Sequence, residues 1–167
     1  MNSVALDKNI HNRKEFDCGV NELNNFLKLT ANQQSSKDNS RTYVIEDKND
    51  KSIIIGFYTL TMIGVELNLF AKKLEKKHNS NTSVGLVARL AVSKRYKNRG
   101  VGSWLVVDAL LKLLNASEIV GFSLIVVDAK DGKKSFYEKF GFQSFKDEKN
   151  KMYISVADIR KSFTNRV

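Results

Sequence analysis

A chain of 167 residues, 42% of them apolar, with no proline, no repeat and no Gly/Ser-rich linker, reads as one globular domain with a real core. Its single cysteine, Cys18, excludes an internal disulfide and fits a reducing cytoplasm. With only His11 and His78 beside it, and neither in a recognisable motif, no Cys/His zinc site, histidine-dependent triad or metal is expected. The net charge of +10 calls either for a polyanionic partner, most naturally RNA, or for a solvated Lys-rich surface.

The opening MNSVALDKNIHNRK lacks the apolar core of a signal peptide. Ser3–Leu6 reads as a short strand, and both histidines as surface residues. From Val20 the positions Leu23, Leu27 and Ala31 keep an i, i+3, i+4 rhythm, which predicts an amphipathic helix over Asn21–Ser36 capped by Asp17 or Gly19. Arg41–Glu46 and Ser52–Ile63 follow as a hairpin around the turn Asp47–Lys51. The uncharged run Ser52–Val65 is too short to cross a bilayer, so no membrane segment is expected. Leu67–His78 reads as a short basic helix, and Asn79–Ser83 as a polar loop.

The stretch Val84–Ala116 organises the chain. Val84–Val92 is apolar and β-branched, as a buried strand should be. A basic, Gly-containing loop follows over Ser93–Gly102 with Lys94, Arg95, Lys97 and Arg99. Trp104, Leu105, Ala109, Leu110, Leu113 and Leu114 then recur at helical spacing, with Ser103, Asp108 and Lys112 off that stripe. Strand, glycine loop and helix in this order turn the free N–H groups of a helix N-terminus toward an anion. Gly100 and Gly102 remove the Cβ atoms that would hold a phosphate away from the backbone. A dinucleotide fingerprint would need a small residue where Leu105 stands, and a P-loop would need Gly-Lys-Ser/Thr where Gly102-Ser103-Trp104 stand.

Gly121–Asp128 is a further buried strand, and strand–helix–strand implies two parallel neighbours. Gly132–Phe140 is a short helix carrying Phe136 and Tyr137 and ended by Gly141. Phe142–Phe145 and Met152–Val156 form a last hairpin. The sum is an α/β domain with a mixed, mostly antiparallel sheet flanked by helices and a strand–loop–helix anion site. Much of the positive charge is clustered, at Lys72, Lys73, Lys76 and Lys77, around the glycine loop, and at Lys130, Lys133, Lys134 and Lys139.

Lys97-Asn98-Arg99-Gly100-Val101-Gly102 resembles the coenzyme A pyrophosphate motif of the GNAT acyltransferases, (Arg/Gln)-x-x-Gly-x-(Gly/Ala), with Lys97 in place of the usual first residue. Phe136-Tyr137-Glu138-Lys139-Phe140-Gly141-Phe142 resembles the helix that ends the coenzyme A site in that family. Lys133 and Lys134 stand where the family has a small residue. Phe16-Asp17-Cys18-Gly19, Leu23-Asn24-Asn25-Phe26-Leu27, Thr42-Tyr43-Val44, Gly56-Phe57-Tyr58-Thr59-Leu60 and Ala88-Arg89-Leu90-Ala91-Val92 are similar to one GNAT branch, which contains the toxin acetyltransferases of type II toxin–antitoxin pairs.

The resemblance implies a single GNAT domain over 1–167 that uses acetyl-CoA. Backbone groups of Leu90, Ala91 and Val92 would hold the pantetheine. Lys97, Asn98, Arg99, Gly100, Val101, Gly102 and Ser103 would receive the pyrophosphate. Tyr137 would protonate, or hydrogen-bond to, the departing thiolate; the bland reading of Tyr137 is a core aromatic. Arg89, Lys94 and Arg95 are candidate substrate contacts, although Arg89 would serve equally to close a salt bridge. Asp128 reads as structural. The implied partners are aminoacyl-tRNA, a ribbon-helix-helix antitoxin and a second copy of the chain.

A lysine amine, with a pKa near 10.4, needs a base to attack at neutral pH, whereas an α-amine near 7.7–8.0 is already partly neutral. Val84–Val92 offers no carboxylate base, which favours an α-amine acceptor, with Glu66 or a water chain left open as the base. A small amine or a protein N-terminus is the alternative acceptor. A non-catalytic GNAT-fold binding module is the alternative of another class.

Overall fold

The computed structural model describes residues 1–66, 81–130, 132–146 and 148–164. Among these lie seven strands: β1 (Ser3–Ala5), β2 (Arg41–Glu46), β3 (Ile54–Glu66), β4 (Asn81–Val92), β5 (Leu124–Asp128), β6 (Gln143–Ser144) and β7 (Lys151–Ser155). Their order in the sheet is β1-β2-β3-β4-β5-β7-β6. Pairing is antiparallel for β1/β2, β2/β3, β5/β7 and β6/β7 and parallel for β4/β5, so the sheet is mixed and mostly antiparallel, as expected. The predicted basic helix Leu67–His78 lies outside the described residues.

Contacts divide the chain into two compact units, Met1–Thr61 with Ala88–Ala109 and Met62–Val87 with Leu110–Val167; β3 and β4 contribute residues to both. In the first unit Phe16, Phe26, Leu27, Ala31, Val44, Phe57 and Ala91 close into one buried cluster. Phe57 is its hub, with Phe16 edge-on at 5.4 Å and Phe26 stacked at 6.3 Å. In the second unit Val84, Leu124, Val126 and Phe145 form a separate core, with Tyr153 edge-on to Phe145. β5 is buried at four successive residues, Leu124 to Val127, which is why a continuous apolar run marked it as a buried strand.

Several expected boundaries move. The helix over Asn21–Ser36 is three pieces: α1 (Asn21–Asn25), a π-turn over Phe26–Thr30, and α2 (Ala31–Ser36). The Ala31 N–H bonds the Phe26 carbonyl, five residues back. This π-turn rotates the helix face, so that Phe26 joins Leu27 and Ala31 in the core. Neither Asp17 nor Gly19 caps this helix: its N-cap is Val20, without a side-chain cap bond, and Asp17 is used elsewhere. β4 starts at Asn81, inside the predicted polar loop.

His11 is buried, not exposed. Its Nδ1 accepts the Asp7 N–H at 2.8 Å, so Nε2 carries the proton and donates to Glu46 at 3.0 Å. Satisfying both ring nitrogens removes the cost of burial that the surface expectation assumed. His78 lies outside the described residues.

Helix α3 (Val101–Val120) begins earlier than its apolar stripe, so Val101 and Gly102 belong to its first turn, not to the loop. Helix α4 (Lys134–Glu138) is shorter than predicted. Val156 leaves the last hairpin and opens an unpredicted helix, α5 (Val156–Thr164). Ser155 Oγ accepts the Asp158 N–H at 3.0 Å, and Val156 and Ile159 are buried. The Ser-x-x-Asp spacing was the available signal.

Candidate functional site

The anion end lies in the first unit. β4 brings the chain to Ser93, whose N–H bonds the Ile55 carbonyl at 2.9 Å, and a 3-10 turn over Lys94–Tyr96 leads into the glycine loop. Asn98 and Gly100 both take positive φ, 61° and 77°. These reversals aim the chain into α3, whose first full turn is closed by the Trp104 N–H on the Gly100 carbonyl at 3.0 Å. The N–H groups of Val101, Gly102 and Ser103 therefore have no acceptor within the helix. A Cβ built on Gly100 would meet nothing within 4 Å, so the backbone here faces open space. Free amides, an open face and the positive end of the helix dipole suit a pyrophosphate.

The helix sits close over β3 because Gly56 has no side chain. A Cβ there would come within 3.0 Å of the Ala91 carbonyl and of Leu105 Cδ1. About two turns into α3, half-buried Asp108 accepts hydrogen bonds from Tyr58 and Ser3, each at 2.5 Å. Burial and the Asp108 carboxylate both push the Tyr58 hydroxyl far above its usual range, so it stays a donor. This network ties the helix to β3 and β1. A lone carboxylate in the run Val106-Val107-Asp108-Ala109-Leu110, off the apolar stripe, was its sequence signal.

Several basic side chains of the loop have partners within the protein. Lys94 pairs with Asp17 at 2.9 Å. Lys97 donates to the Cys18 carbonyl at 2.8 Å. Arg95 lines a cavity of about 200 Å³ with Asn12, Glu15, Ser93 and Tyr96. Arg99 is exposed, its guanidinium 5.7 Å from the Tyr96 ring centre. Tyr96 itself donates to Asp47 at 2.8 Å. The Arg89 guanidinium stands 3.9 Å over the Phe26 ring. Of Leu90, Ala91 and Val92 at the end of β4, only Ala91 is fully buried.

In the second unit, Tyr137 lies on α4 among aromatic edges, 5.2 Å from Phe136 and 5.7 Å from Phe142. Its hydroxyl has no hydrogen-bond partner among the described residues. Burial and the Asp128 carboxylate push its pKa up to about 12, so it is a neutral donor throughout the physiological range. Lys133 is exposed at the N-cap of α4, and Lys134 opens the helix half-buried. Among the described residues no group of His, Cys, Asp and Glu could hold a metal ion, and no helix is long and apolar enough to cross a membrane.

The profile of the acetyltransferase (GNAT) domain family matches residues 38–144, more than half of the chain. A probable toxin TacT from Sinorhizobium fredii is 27% identical over 93% of this chain and 91% of its own. A tRNA-acetylating toxin from Mycobacterium tuberculosis is 28% identical over 77% of this chain and 76% of its own. Among solved structures, AtaT complexed with acetyl-methionyl-tRNAfMet superposes with a TM-score of 0.88 at 25% identity, covering 97% of this chain and 98% of that one. The matched span takes in β2 to β6, with the glycine loop and the Tyr137 helix inside it, and on that ground the chain belongs to the GNAT acetyltransferases and is an acyl-transferring enzyme.

Proposed function

We propose that the chain transfers acetyl from acetyl-CoA to the α-amino group of aminoacyl-tRNA and so blocks translation. The observation that carries the reading is likeness over nearly the whole chain to AtaT complexed with acetyl-methionyl-tRNAfMet, at 25% identity. The helix N–H groups of Val101, Gly102 and Ser103, which have no acceptor within α3, and the open space at Gly100 support coenzyme A as the donor. Backbone groups of Leu90, Ala91 and Val92 hold the pantetheine, and Lys97 to Ser103 form the pyrophosphate loop, chiefly through main-chain N–H groups.

The amine nitrogen bonds to the acetyl carbon, the carbon–sulfur bond breaks, and the nitrogen loses its extra proton to water. Tyr137 donates a hydrogen bond to the developing thiolate. Full transfer is disfavoured: from a hydroxyl at about 12 to a thiol near 8.5 it is uphill by roughly 5 kcal/mol. Hydrogen bonding stabilises the leaving group without that cost. A small DNA-binding antitoxin of the ribbon-helix-helix type and a second copy of the chain are the protein partners of this reading, and the cytoplasm is its compartment.

Transfer of labelled acetyl from acetyl-CoA to a pool of charged tRNA tests it. Label on the aminoacyl group, lowered about ten-fold or more by Tyr137→Phe, is the expected result. Acetyl-CoA binding without label on any tRNA moves the acceptor to a small amine or a protein N-terminus.

A further inference from the structure

Lys94 and Lys97 look from their positions like phosphate ligands, yet both ammonium groups are turned back onto the N-terminal turn Asp17-Cys18-Gly19. The main chain follows the same course: the Lys94 N–H donates to the Asp17 carbonyl at 2.9 Å. Asp17 is in turn fixed from its other side. Its Oδ1 accepts the Gly19 N–H at 2.8 Å and the Asn24 amide at 2.9 Å, while Asn24 Oδ1 accepts the Cys18 N–H at 2.9 Å. The Cys18 thiol adds a contact to the same Asn24 oxygen at 3.1 Å. Asn24 is buried within α1, so the turn is anchored to a helix.

We infer that the Asp17-Cys18-Gly19 turn is a positioning brace for the coenzyme A pyrophosphate loop, with Lys94 and Lys97 as its struts rather than as phosphate ligands. The inference rests on the acetyl-CoA reading above. A glycine loop that binds through backbone amides must be held in one conformation before the ligand arrives, because ordering it on binding costs affinity. Two struts reaching one anchored turn, one from the first residue of the 3-10 turn Lys94–Tyr96 and one from the residue after it, hold it. Asp17 is kept ionised well below the usual carboxylate range, first by Lys94 and then by Asn24 and the Gly19 N–H, so the brace is set at any physiological pH.

Asp17→Asn separates this from plain electrostatics by sign. Removing a negative charge beside an anion site strengthens acetyl-CoA binding if Lys94 is a phosphate ligand that the change sets free. A lost brace weakens it: KM for acetyl-CoA is expected to rise about five-fold, with kcat at saturating acetyl-CoA unchanged. An unchanged or lower KM overturns the inference. Amide hydrogen exchange of the unliganded Lys94→Met and Lys97→Met variants gives an independent check. Exchange across Ser93–Ser103 is expected to quicken about three-fold, with the cores of both units unaffected. Wild-type exchange there means that the lysines serve the ligand and not the loop, and the inference falls. A wild-type protein that binds no acetyl-CoA overturns the acetyl-CoA reading itself; one that binds, with Asp17→Asn binding as well or better, overturns the brace alone.

Discussion

The glycine loop before α3 and the aromatic helix α4 are shaped by different forces. The loop has exposed residues at Lys94, Lys97, Asn98, Arg99 and Gly100, and its conformation is held by directional bonds: Lys94 on Asp17, Lys97 on Cys18, Tyr96 on Asp47. Helix α4 has five residues, too few to be stable alone, and is held by ring edges of Phe136, Phe140 and Phe142. A region that binds through its own amides needs those amides free, so polar side chains must fix it from outside. A region that presents one hydroxyl can be packed from every other direction. Changes at the loop should therefore act on acetyl-CoA affinity, and changes at the helix on stability or on rate.

Four substitutions probe this contrast, from the largest expected effect downward. Phe142→Ala removes a buried ring (3% exposed) from the side of Tyr137 and is expected to cost about 3–4 kcal/mol in denaturant unfolding. A loss below about 1 kcal/mol would mean that packing does not hold α4.

Asp108→Ala leaves the Tyr58 and Ser3 hydroxyls without their acceptor, for an expected loss of about 2 kcal/mol in the same unfolding measurement. Wild-type stability would show that the network adds nothing to the seating of α3.

Tyr137→Phe sharpens the contrast within the helix itself. Removing a hydroxyl with no partner among the described residues should leave the melting temperature within a degree or two while kcat falls about ten-fold. The pH profile adds a sign. With Tyr137 held at about 12, the rate should rise with pH as the acceptor α-amine loses its proton near 7.7–8.0, and should show no falling limb from the tyrosine below about pH 10. The variant should lower this profile without moving its rising limb; a shifted limb would make Tyr137 the titrating group.

Gly100→Ala forces a side chain to φ +77°, with open space around it. The strain, about 1 kcal/mol, should appear as roughly five-fold weaker acetyl-CoA binding by calorimetry, with kcat little changed. A kcat loss at unchanged affinity would dissolve the division between binding loop and chemical helix.

Much of this arrangement was legible in the chain. Continuous apolar runs located β4 and β5, and the Leu105–Leu114 stripe located α3, because burial is written directly into residue order. The spacing Lys97–Gly102 and the group Phe136–Phe142 carried the family, since a backbone cradle demands glycine and a packed helix demands aromatics whatever surrounds them. Local capping was partly legible too: Ser155 and Asp158 announce α5, although the sparse apolar content of Val156–Thr164 hid it.

What the order of residues by itself determined was most of the strands, the helix after the glycine loop and the glycine spacing of that loop. Only tertiary structure decided which charges were free to act. Lys94 and Lys97 are as suited to phosphate as Arg99 by type and position, and His11 and Asp108 are as suited to solvent as any polar residue. Their partners Asp17, Cys18, Glu46, Tyr58 and Ser3 lie 35 to 105 residues away in the chain. A side chain's charge is a local property; whether that charge is already bonded depends on what folding brings within 3 Å, and residue order does not state it.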